Sequence, residues 1–202
     1  MADHTKQVIR QAKERVFEGN TKVPDKVVSV FEPDTEVMRK RKASKPTEFG
    51  KMVKIQEAEN QVIVDYEVFD KKPNDADLLV ESVTVSEECL ERTPELVAAD
   101  AAFFSGANEE ALEAAGVKRM SVPNRGTKGE SRRQKQKERW FKNGQRWRTG
   151  CEGRIGVLKR RHGLNRSRYG GQDGMKKWVG LGVISDNLIT LGGLLEVVQA
   201  TA

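Results

Sequence analysis

Apolar residues recur with two different periods along the first third of the chain, which predicts both helices and strands. In residues 3–18 they fall on one side of a helix, and Gly19-Asn20 is typical of a helix end. In residues 61–69 they alternate with polar residues, as in a strand with one buried face. With the segment that begins at residue 51, this strand predicts a β-hairpin over 51–69. A short β-like run, residues 26–31, precedes the hairpin.

The remaining two thirds of the chain alternate between helical and strand-like segments. They follow in the order helix 73–92, strand 95–99, helix 108–115, strand 117–122, basic helical region 131–166 and apolar helix 175–199. The order β-β-α-β-α-β, followed by long helices, predicts a mixed α/β fold. We divide the chain into an N-terminal helix (1–20), an α/β domain (21–170) and a C-terminal apolar helix (171–202).

The charges are distributed unevenly. The formal net charge is +6, but residues 125–168 contain 16 Lys/Arg and 3 Asp/Glu, a local balance of +13. The rest of the chain has 20 Lys/Arg and 27 Asp/Glu, a balance of −7. Such an asymmetry predicts a localised binding site for a polyanion, and nucleic acid is the leading candidate.

Cysteine content and hydropathy indicate a cytoplasmic protein without a membrane span. The two cysteines, Cys89 and Cys151, lie far apart and form no zinc-binding spacing, as expected of a reduced compartment. Charged residues interrupt the N-terminus, so no signal peptide is predicted. The longest apolar run, near 179–198, contains Asp186, Asn187 and paired glycines, and we expect it to be too interrupted to span a membrane.

The run from Trp147 to Arg168 contains one acid among many bases. In a helix, four of its residues form one stripe with the spacing i, i+4, i+7 and i+11. They are Arg148, Glu152, Ile155 and Lys159. An acid and two bases on one face suit a metal ion beside a polyanion. The alternative is a solvated basic helix in which Glu152 pairs with Arg148, which would add only a few tenths of a kcal/mol.

A second acid, Asp100, ends the short apolar strand 95–99. Carboxylates at the carboxyl end of such a strand face the crevice where open α/β sheets bind ligands. The alternative is an aspartate that caps a helix or a turn. If Asp100 and Glu152 come together, they form a carboxylate pair of the kind that holds two magnesium ions for phosphodiester cleavage.

The basic region also contains aromatic residues and regularly spaced glycines. Trp140 and Trp147 could stack on an unpaired base, although a core role is expected for at least one of them. Gly150, Gly153 and Gly156 recur within the predicted helix, where each costs about 1 kcal/mol relative to Ala. This pattern predicts the close approach of another backbone, from protein or from DNA, on that side.

These residues resemble the bacterial insertion-sequence DDE transposases. The signature R-x-x-x-E-x-x-x-x-x-x-K is filled by Arg148, Glu152 and Lys159, and the resemblance runs from about Asn20 to Leu191. The segments that carry it are KVVSVFEPDTEV, KPTEFGKMVKI, LVAAD with FFSGAN after it, GVKRMSVPNRG, RWFKNGQRWRTGCEGRIGVLKRRHGL and WVGLGVISDNL.

The resemblance implies an RNase H-like catalytic domain that uses two Mg²⁺ ions on an Asp-Asp-Glu triad to cut transposon ends and join them to target DNA. Asp100 would be the second Asp and Glu152 the Glu, and both would be metal ligands. The residues expected to bind DNA are Arg146, Arg148, Arg154, Lys159, Arg160, Arg161, Arg166 and Arg168.

The chain departs from the family pattern in three places. Gln145 stands where a Tyr often precedes the Arg, and an alanine pair follows Asp100 in place of Arg-Gly. The third departure is the first Asp, because none of Asp25, Asp34 and Asp65 ends an opening strand. We therefore expect a C-terminal fragment that lacks the opening central strand of the RNase H-like sheet.

This departure carries three expectations. The fragment should bind Mg²⁺ weakly and be inactive as an enzyme. Its open sheet edges should give it marginal stability and a tendency to associate, including as a homo-oligomer. The alternative function is a non-catalytic nucleic-acid-binding protein that uses residues 125–168.

Overall fold

The computed structural model describes residues 2–30, 32, 35–39, 47–127 and 129–201. In chain order they form α1 (Ala2–Phe17), β1 (Glu36–Arg39), β2 (Thr47–Gly50), β3 (Val53–Glu57), β4 (Ile63–Val68), α2 (Leu78–Leu90), β5 (Leu96–Ala98), α3 (Gly106–Ala114), β6 (Arg119–Ser121), α4 (Glu130–Lys137), α5 (Arg139–Arg161) and α6 (Gly171–Thr201). The predicted order of hairpin, helix, strand, helix, strand and long helices is confirmed. Short 3-10 turns lie at Glu59–Gln61, Asp75–Asp77 and Ala101–Phe103.

Two compact units divide the chain. The first comprises Met1–Val53, Val68–Lys72 and Ser167–Trp178, and the second comprises Lys54–Glu67, Pro73–Arg166 and Val179–Ala202.

The first unit contains α1 and an antiparallel pair, β1 with β2, which the hydropathy pattern did not predict. Their register places Glu36 opposite Gly50 and Arg39 opposite Thr47. The predicted strand over 26–31 is wrong for residues 26–30, which are extended or bent without strand pairing, and Phe31 lies outside the described residues. The physical reason is that a side chain makes the backbone hydrogen bonds that a neighbouring strand would otherwise make. Gln11 of α1 accepts the Val27 N–H at 3.0 Å and donates to the Val27 carbonyl at 2.8 Å.

In the second unit, β3 and β4 pair around a tight turn. The Ala58 N–H donates to the Val62 carbonyl at 2.8 Å, which closes the antiparallel hairpin. Asn60 and Gln61 adopt left-handed backbone angles, with φ of 58° and 64°. The strongly polar Glu-Asn-Gln sequence is suited to such a turn, because Asn tolerates the left-handed region better than most residues. The hairpin predicted over 51–69 is therefore confirmed.

The core of the second unit lies between α2, α3 and the parallel pair β5–β6. Leu96 is opposite Arg119 and Ala98 is opposite Ser121, and α3 connects the two strands. The buried core residues are Leu79, Val83, Leu112, Val117, Met120 and Val122. The mixed α/β class is confirmed, with small sheets flanked by helices as in an incomplete RNase H-like fold. The described strands form three separate pairs instead of one continuous sheet.

The predicted apolar helix is present as α6, which continues through Asp186, Asn187 and the paired glycines. Among the described helices, the span Gly171–Ala200 is the one that is long and apolar enough to cross a membrane, with a mean hydropathy of 1.5. Only 17% of that apolar window is buried in the chain. Length and composition alone do not distinguish a membrane span from a helix that packs against protein. The Asp186 carboxylate is buried and contacts the Arg154 guanidinium and the His162 ring.

Candidate metal and nucleic-acid site

The N-terminal half of α5 lies directly on the parallel strands β5 and β6. Phe141 is buried there, and the Ser121 hydroxyl donates to the Phe141 carbonyl at 2.8 Å. Gly144 allows this close approach, because a Cβ at that position would lie 2.7 Å from both Cβ and Oγ of Ser121. The helix that carries Glu152 is therefore seated against the strand pair that leads to Asp100.

Gln145 connects α5 to the carboxyl ends of both strands. Its Nε2 donates to the Ala99 carbonyl at 3.2 Å and also to the Ser121 carbonyl. The family resemblance made Gln145 a departure from a common Tyr, and sequence reasoning gave it no role. In the structure it holds the helix against the residue that immediately precedes Asp100.

Asp100 follows β5 and begins a 3-10 turn. Its Oδ1 accepts the Ala101 N–H at 2.7 Å, and the Arg125 guanidinium lies 3.5 Å from the same oxygen. The side chain is 51% exposed, so the carboxylate remains accessible. The alternative interpretation of Asp100, as an aspartate that caps a turn, is therefore confirmed. Because the capping contact uses one carboxylate oxygen, the second oxygen stays available to a ligand.

Glu152 lies two helical turns beyond Gln145. Arg148 Nη1 donates to its Oε1 at 2.8 Å, which is the predicted i, i+4 pair. The Glu152 side chain is 63% exposed, and Ile155 and Lys159 are exposed too, whereas the fourth residue of the predicted stripe, Arg148, has a side chain that is 22% exposed.

Asp100 and Glu152 are not part of a cluster of three acidic or metal-ligating side chains in the described parts of the chain. No group of three His, Cys, Asp or Glu side chains that could hold a metal ion occurs there. Lys54 binds Asp65 at 3.1 Å, and Asp25 lies in a turn with a φ of 50°. Asp34 falls outside the described residues. Of the three carboxylates that the resemblance implies, the chain has candidates for two, Asp100 after β5 and Glu152 on α5.

Most of the cations that were expected to bind DNA are exposed. In the second unit these are Arg146, Lys159, Arg160, Arg161 and Arg166. Lys159, Arg160 and Arg161 lie in the last turn of α5, where positive charge also stabilises the helix dipole. In the first unit, exposed Arg168 has its guanidinium carbon 6.0 Å from the centre of the Trp178 ring.

Arg154 differs from the other cations that were expected to bind DNA, because its side chain is only 11% exposed. Its guanidinium is buried within what we call the ion cluster, which consists of Glu57, Arg154, His162 and Asp186. Arg154 Nη1 lies 3.0 Å from Asp186 Oδ2, and Arg154 Nε lies 3.7 Å from Glu57 Oε2. His162 Nε2 is 3.2 Å from Asp186 Oδ1. Sequence reasoning missed this cluster, although a single acid within an apolar helix was a signal that a buried cation faces it.

Cys151 contacts the same cluster. Its Sγ lies 3.4 Å from Glu57 Oε1. Burial, together with the adjacent Glu57 carboxylate, raises the pKa of the Cys151 thiol to about 12. The thiol is therefore protonated at neutral pH and serves neither as a nucleophile nor as a metal ligand.

The chain itself does not closely approach the glycines at 150, 153 and 156 of α5, so approach by a DNA backbone stays a prediction. A Cβ at Gly150 or Gly153 would meet nothing within 4 Å, and one at Gly156 would meet only the Arg160 side chain of the same helix. The protein approaches α5 at Gly144 instead. Trp140 is partly buried, edge-on to Phe141 with 5.5 Å between ring centroids, so Phe141 is the core aromatic of this region.

Comparison with known protein families identifies the family of the chain. The model of the transposase DDE domain family matches residues 27–188, and the chain belongs to that family. DNA transposition is therefore its function class, and the family generally uses a divalent metal ion, Mg²⁺. No curated protein and no solved structure matches the chain.

Proposed function

We propose that this chain is the DNA-binding and metal-binding domain of a transposase, in which Asp100 and Glu152 are two of the Mg²⁺ ligands. The proposal rests on the packing of α5 against β5 and β6. Gln145 binds the carbonyl of the residue before Asp100, and Glu152 follows on the same helix. Family membership supports a cytoplasmic location, because transposases of this kind are typically soluble there.

The donors fit magnesium in type, although two carboxylates make a weak site. Mg²⁺ prefers oxygen ligands and is commonly bound by one or two carboxylates together with substrate phosphates. When bound, the metal supplies activation of the attacking oxygen and stabilisation of the leaving oxygen. Because the described residues provide only two carboxylates, we infer weak metal binding without DNA and little strand cleavage by this chain.

The neighbouring arginines hold the two carboxylates in place. Arg148 orients the Glu152 carboxylate through a 2.8 Å contact, and Arg125 lies beside the Asp100 carboxylate. The exposed cations of α5 are suited to binding phosphates, which supplies affinity without sequence selectivity. The proposed metal and phosphate binding would explain why two acids, Asp100 and Glu152, occur beside so many basic residues.

Neutralising either carboxylate is expected to weaken metal binding. We expect Asp100→Asn and Glu152→Gln each to lower the affinity for Mn²⁺, used as a paramagnetic probe for Mg²⁺, by at least about tenfold, since even outer-shell substitutions cost 10–100-fold. Water proton relaxation measured during an Mn²⁺ titration, with and without duplex DNA, gives the affinity. The DNA should strengthen binding in the unmodified chain.

Glu110→Gln is the matched control, because Glu110 is an exposed carboxylate on α3. It should leave Mn²⁺ binding unchanged. Equal Mn²⁺ binding by all four proteins would reject the metal site and favour the alternative of a non-catalytic nucleic-acid-binding protein. Magnesium-dependent nicking of a DNA duplex that either substitution abolishes would instead overturn our inference that this chain cleaves little.

The exposed cations of α5 are expected to contribute phosphate contacts. We expect Arg146→Gln and Lys159→Gln each to weaken DNA binding and to reduce the slope of log affinity against log salt by about 0.9, the value for one phosphate contact. Fluorescence anisotropy with two unrelated duplexes, measured over a range of NaCl concentrations, tests this. The loss should be the same for both sequences.

Lys118→Gln provides the control outside α5, because Lys118 is equally exposed but pairs with Glu95 at 2.6 Å. It should change neither the affinity nor the salt slope. The same loss for Lys118→Gln as for the α5 variants would show general electrostatic attraction and would reject a DNA site on this helix.

A further inference from the structure

The side-chain amide of Gln145 lies at the point where β5 and β6 both end. Its Nε2 donates to the Ala99 carbonyl at 3.2 Å, and it also donates to the Ser121 carbonyl. Ala99 is the first residue after β5, and Ser121 is the last residue of β6. Because a side-chain amide nitrogen carries two hydrogens, one Gln can bind a carbonyl of each strand.

The backbone by itself holds these two strand ends weakly. The Ala99 N–H donates to the Ser121 carbonyl at 3.4 Å, which is longer than the usual distance of about 2.9–3.0 Å. Asp100 then leaves the strand and caps the 3-10 turn Ala101–Phe103. The Gln145 amide therefore adds a second contact that fixes the end of β5.

A bond that fixes the Ala99 carbonyl also fixes the start of Asp100. The Ala99 carbonyl and the N–H and Cα of Asp100 belong to one planar peptide unit. A hydrogen bond that holds the carbonyl therefore limits the rotation of the plane from which Asp100 projects. Rotation within Asp100 itself is limited by the Ala101 N–H, which donates to Oδ1 at 2.7 Å.

The helix that carries Gln145 presents Glu152 on the same face. The two residues are seven positions apart, which at about 100° per residue is roughly 20° short of two full turns. Both lie within the continuous helix α5, Arg139–Arg161. Gln145 therefore restricts the rotation of α5 about its own axis, and with it the direction in which Glu152 projects.

We propose that Gln145 is a positioning residue that holds Asp100 and Glu152 in the arrangement in which one metal centre uses both carboxylates. The proposal rests on the proposed function, in which both residues are Mg²⁺ ligands. The Gln145 amide donates to backbone carbonyls and not to the carboxylates, so it acts through the peptide before Asp100 and through the backbone of α5. Mg²⁺ is sensitive to such positioning, because it demands near-ideal octahedral geometry.

Gln145→Met tests the proposal, because methionine keeps the length of the side chain and removes its donors. We expect it to weaken Mn²⁺ binding by about 10–100-fold, as the loss of a residue that orients metal ligands typically does. The measurement is the paramagnetic broadening of amide NMR signals of the full chain during an Mn²⁺ titration. In the unmodified chain, the signals of Ala101 and Glu152 should broaden at the same Mn²⁺ concentration. In Gln145→Met they should broaden at higher and different concentrations, because each carboxylate then binds separately.

Gln56→Met is the matched control. The Gln56 side chain also donates through Nε2 to a backbone carbonyl, that of Ser82 at 2.8 Å, but it joins β3 to α2. It should leave both Mn²⁺ concentrations unchanged. If Gln145→Met does not fold by circular dichroism, Gln145→Asn replaces it, because this variant keeps the amide and shortens the side chain by one methylene group. The same separation of the two signals is expected.

A double substitution distinguishes positioning from a general loss of structure. A chain that carries Glu152→Gln retains one carboxylate of the pair, so no arrangement of two is left for Gln145 to hold. Adding Gln145→Met to it should therefore change the Mn²⁺ affinity by less than about twofold, the scatter expected of independent sites.

Three results would overturn the proposal. If Gln145→Met weakened Mn²⁺ binding no more than Gln56→Met, while Asp100→Asn and Glu152→Gln still weakened it, the metal site would stand and Gln145 would have no positioning role. If Gln145→Met cost as much in the Glu152→Gln chain as in the unmodified one, its effect would be a general loss of structure. If Asp100→Asn and Glu152→Gln left Mn²⁺ binding unchanged, the proposed function would fail, and this proposal would fail with it.

Discussion

Replacing Arg154 by Met is expected to lower the free energy of unfolding by about 3–5 kcal/mol, the usual cost of breaking a buried ion pair from one side. Asp186 is 1% exposed and the Glu57 side chain is 3% exposed, so both carboxylates would remain buried without their guanidinium partner. His162 would be the one remaining cationic partner of Asp186 in the cluster, and only when protonated. Urea denaturation followed by circular dichroism measures the change.

Arg160→Met is the control for that experiment, because Arg160 is exposed on the same helix. It should change stability by less than about 0.5 kcal/mol, as surface substitutions usually do. A double-mutant cycle with Asp186→Asn should give a coupling energy of about 0.5–3 kcal/mol. If Arg154→Met were as stable as Arg160→Met, the ion cluster would not hold α5 in place.

Gly144→Ala is expected to destabilise the fold by about 1–3 kcal/mol, the usual cost of overpacking. The added methyl group would lie 2.7 Å from Ser121 Cβ and Oγ, both close to the strand backbone and unable to move far. The clash should exceed the gain of about 1 kcal/mol that Ala brings to a helix interior. Gly144→Val should be worse, because it adds more atoms to the same contact.

Gly150→Ala is the matched control, because Gly150 lies in the same helix and a Cβ there meets nothing within 4 Å. It should stabilise the chain by up to about 1 kcal/mol. Thermal denaturation of both variants therefore tests whether the two substitutions change the stability of the chain in opposite directions. Destabilisation by both substitutions, or by neither, would contradict the close packing of α5 on β6. Because Ser121 supplies the atoms that the new methyl group would meet, Ser121→Gly should partly restore the stability of Gly144→Ala.

Local patterns were sufficient where neighbouring residues alone decide the structure. The alternation in residues 61–69 and the polar turn before it predicted the hairpin that β3 and β4 form. The apolar segment before Asp100 predicted β5. The same kind of pattern failed at residues 26–30, because Gln11 takes the backbone groups of Val27 that a strand would have paired.

The residues of the candidate site also divide into those that local patterns predict and those that depend on tertiary contacts. Residue types and spacing identified Asp100, Glu152 and the Arg148 pair, since these depend on the end of one strand and the face of one helix. They could not separate Arg154 from the exposed arginines around it. All carry the same charge on the same helix, and only the partner across the helix decides which one is buried.

By itself, the sequence determined the order of helices and strands, the basic region and the membership of the DDE transposase family. The tertiary structure alone decided which glycine touches another element and which arginine is buried. The physical reason is the separation along the chain of the residues that interact. Periodicity and charge act between near neighbours, whereas the contacts of Gly144 with Ser121 and of Arg154 with Asp186 join residues far apart in the chain.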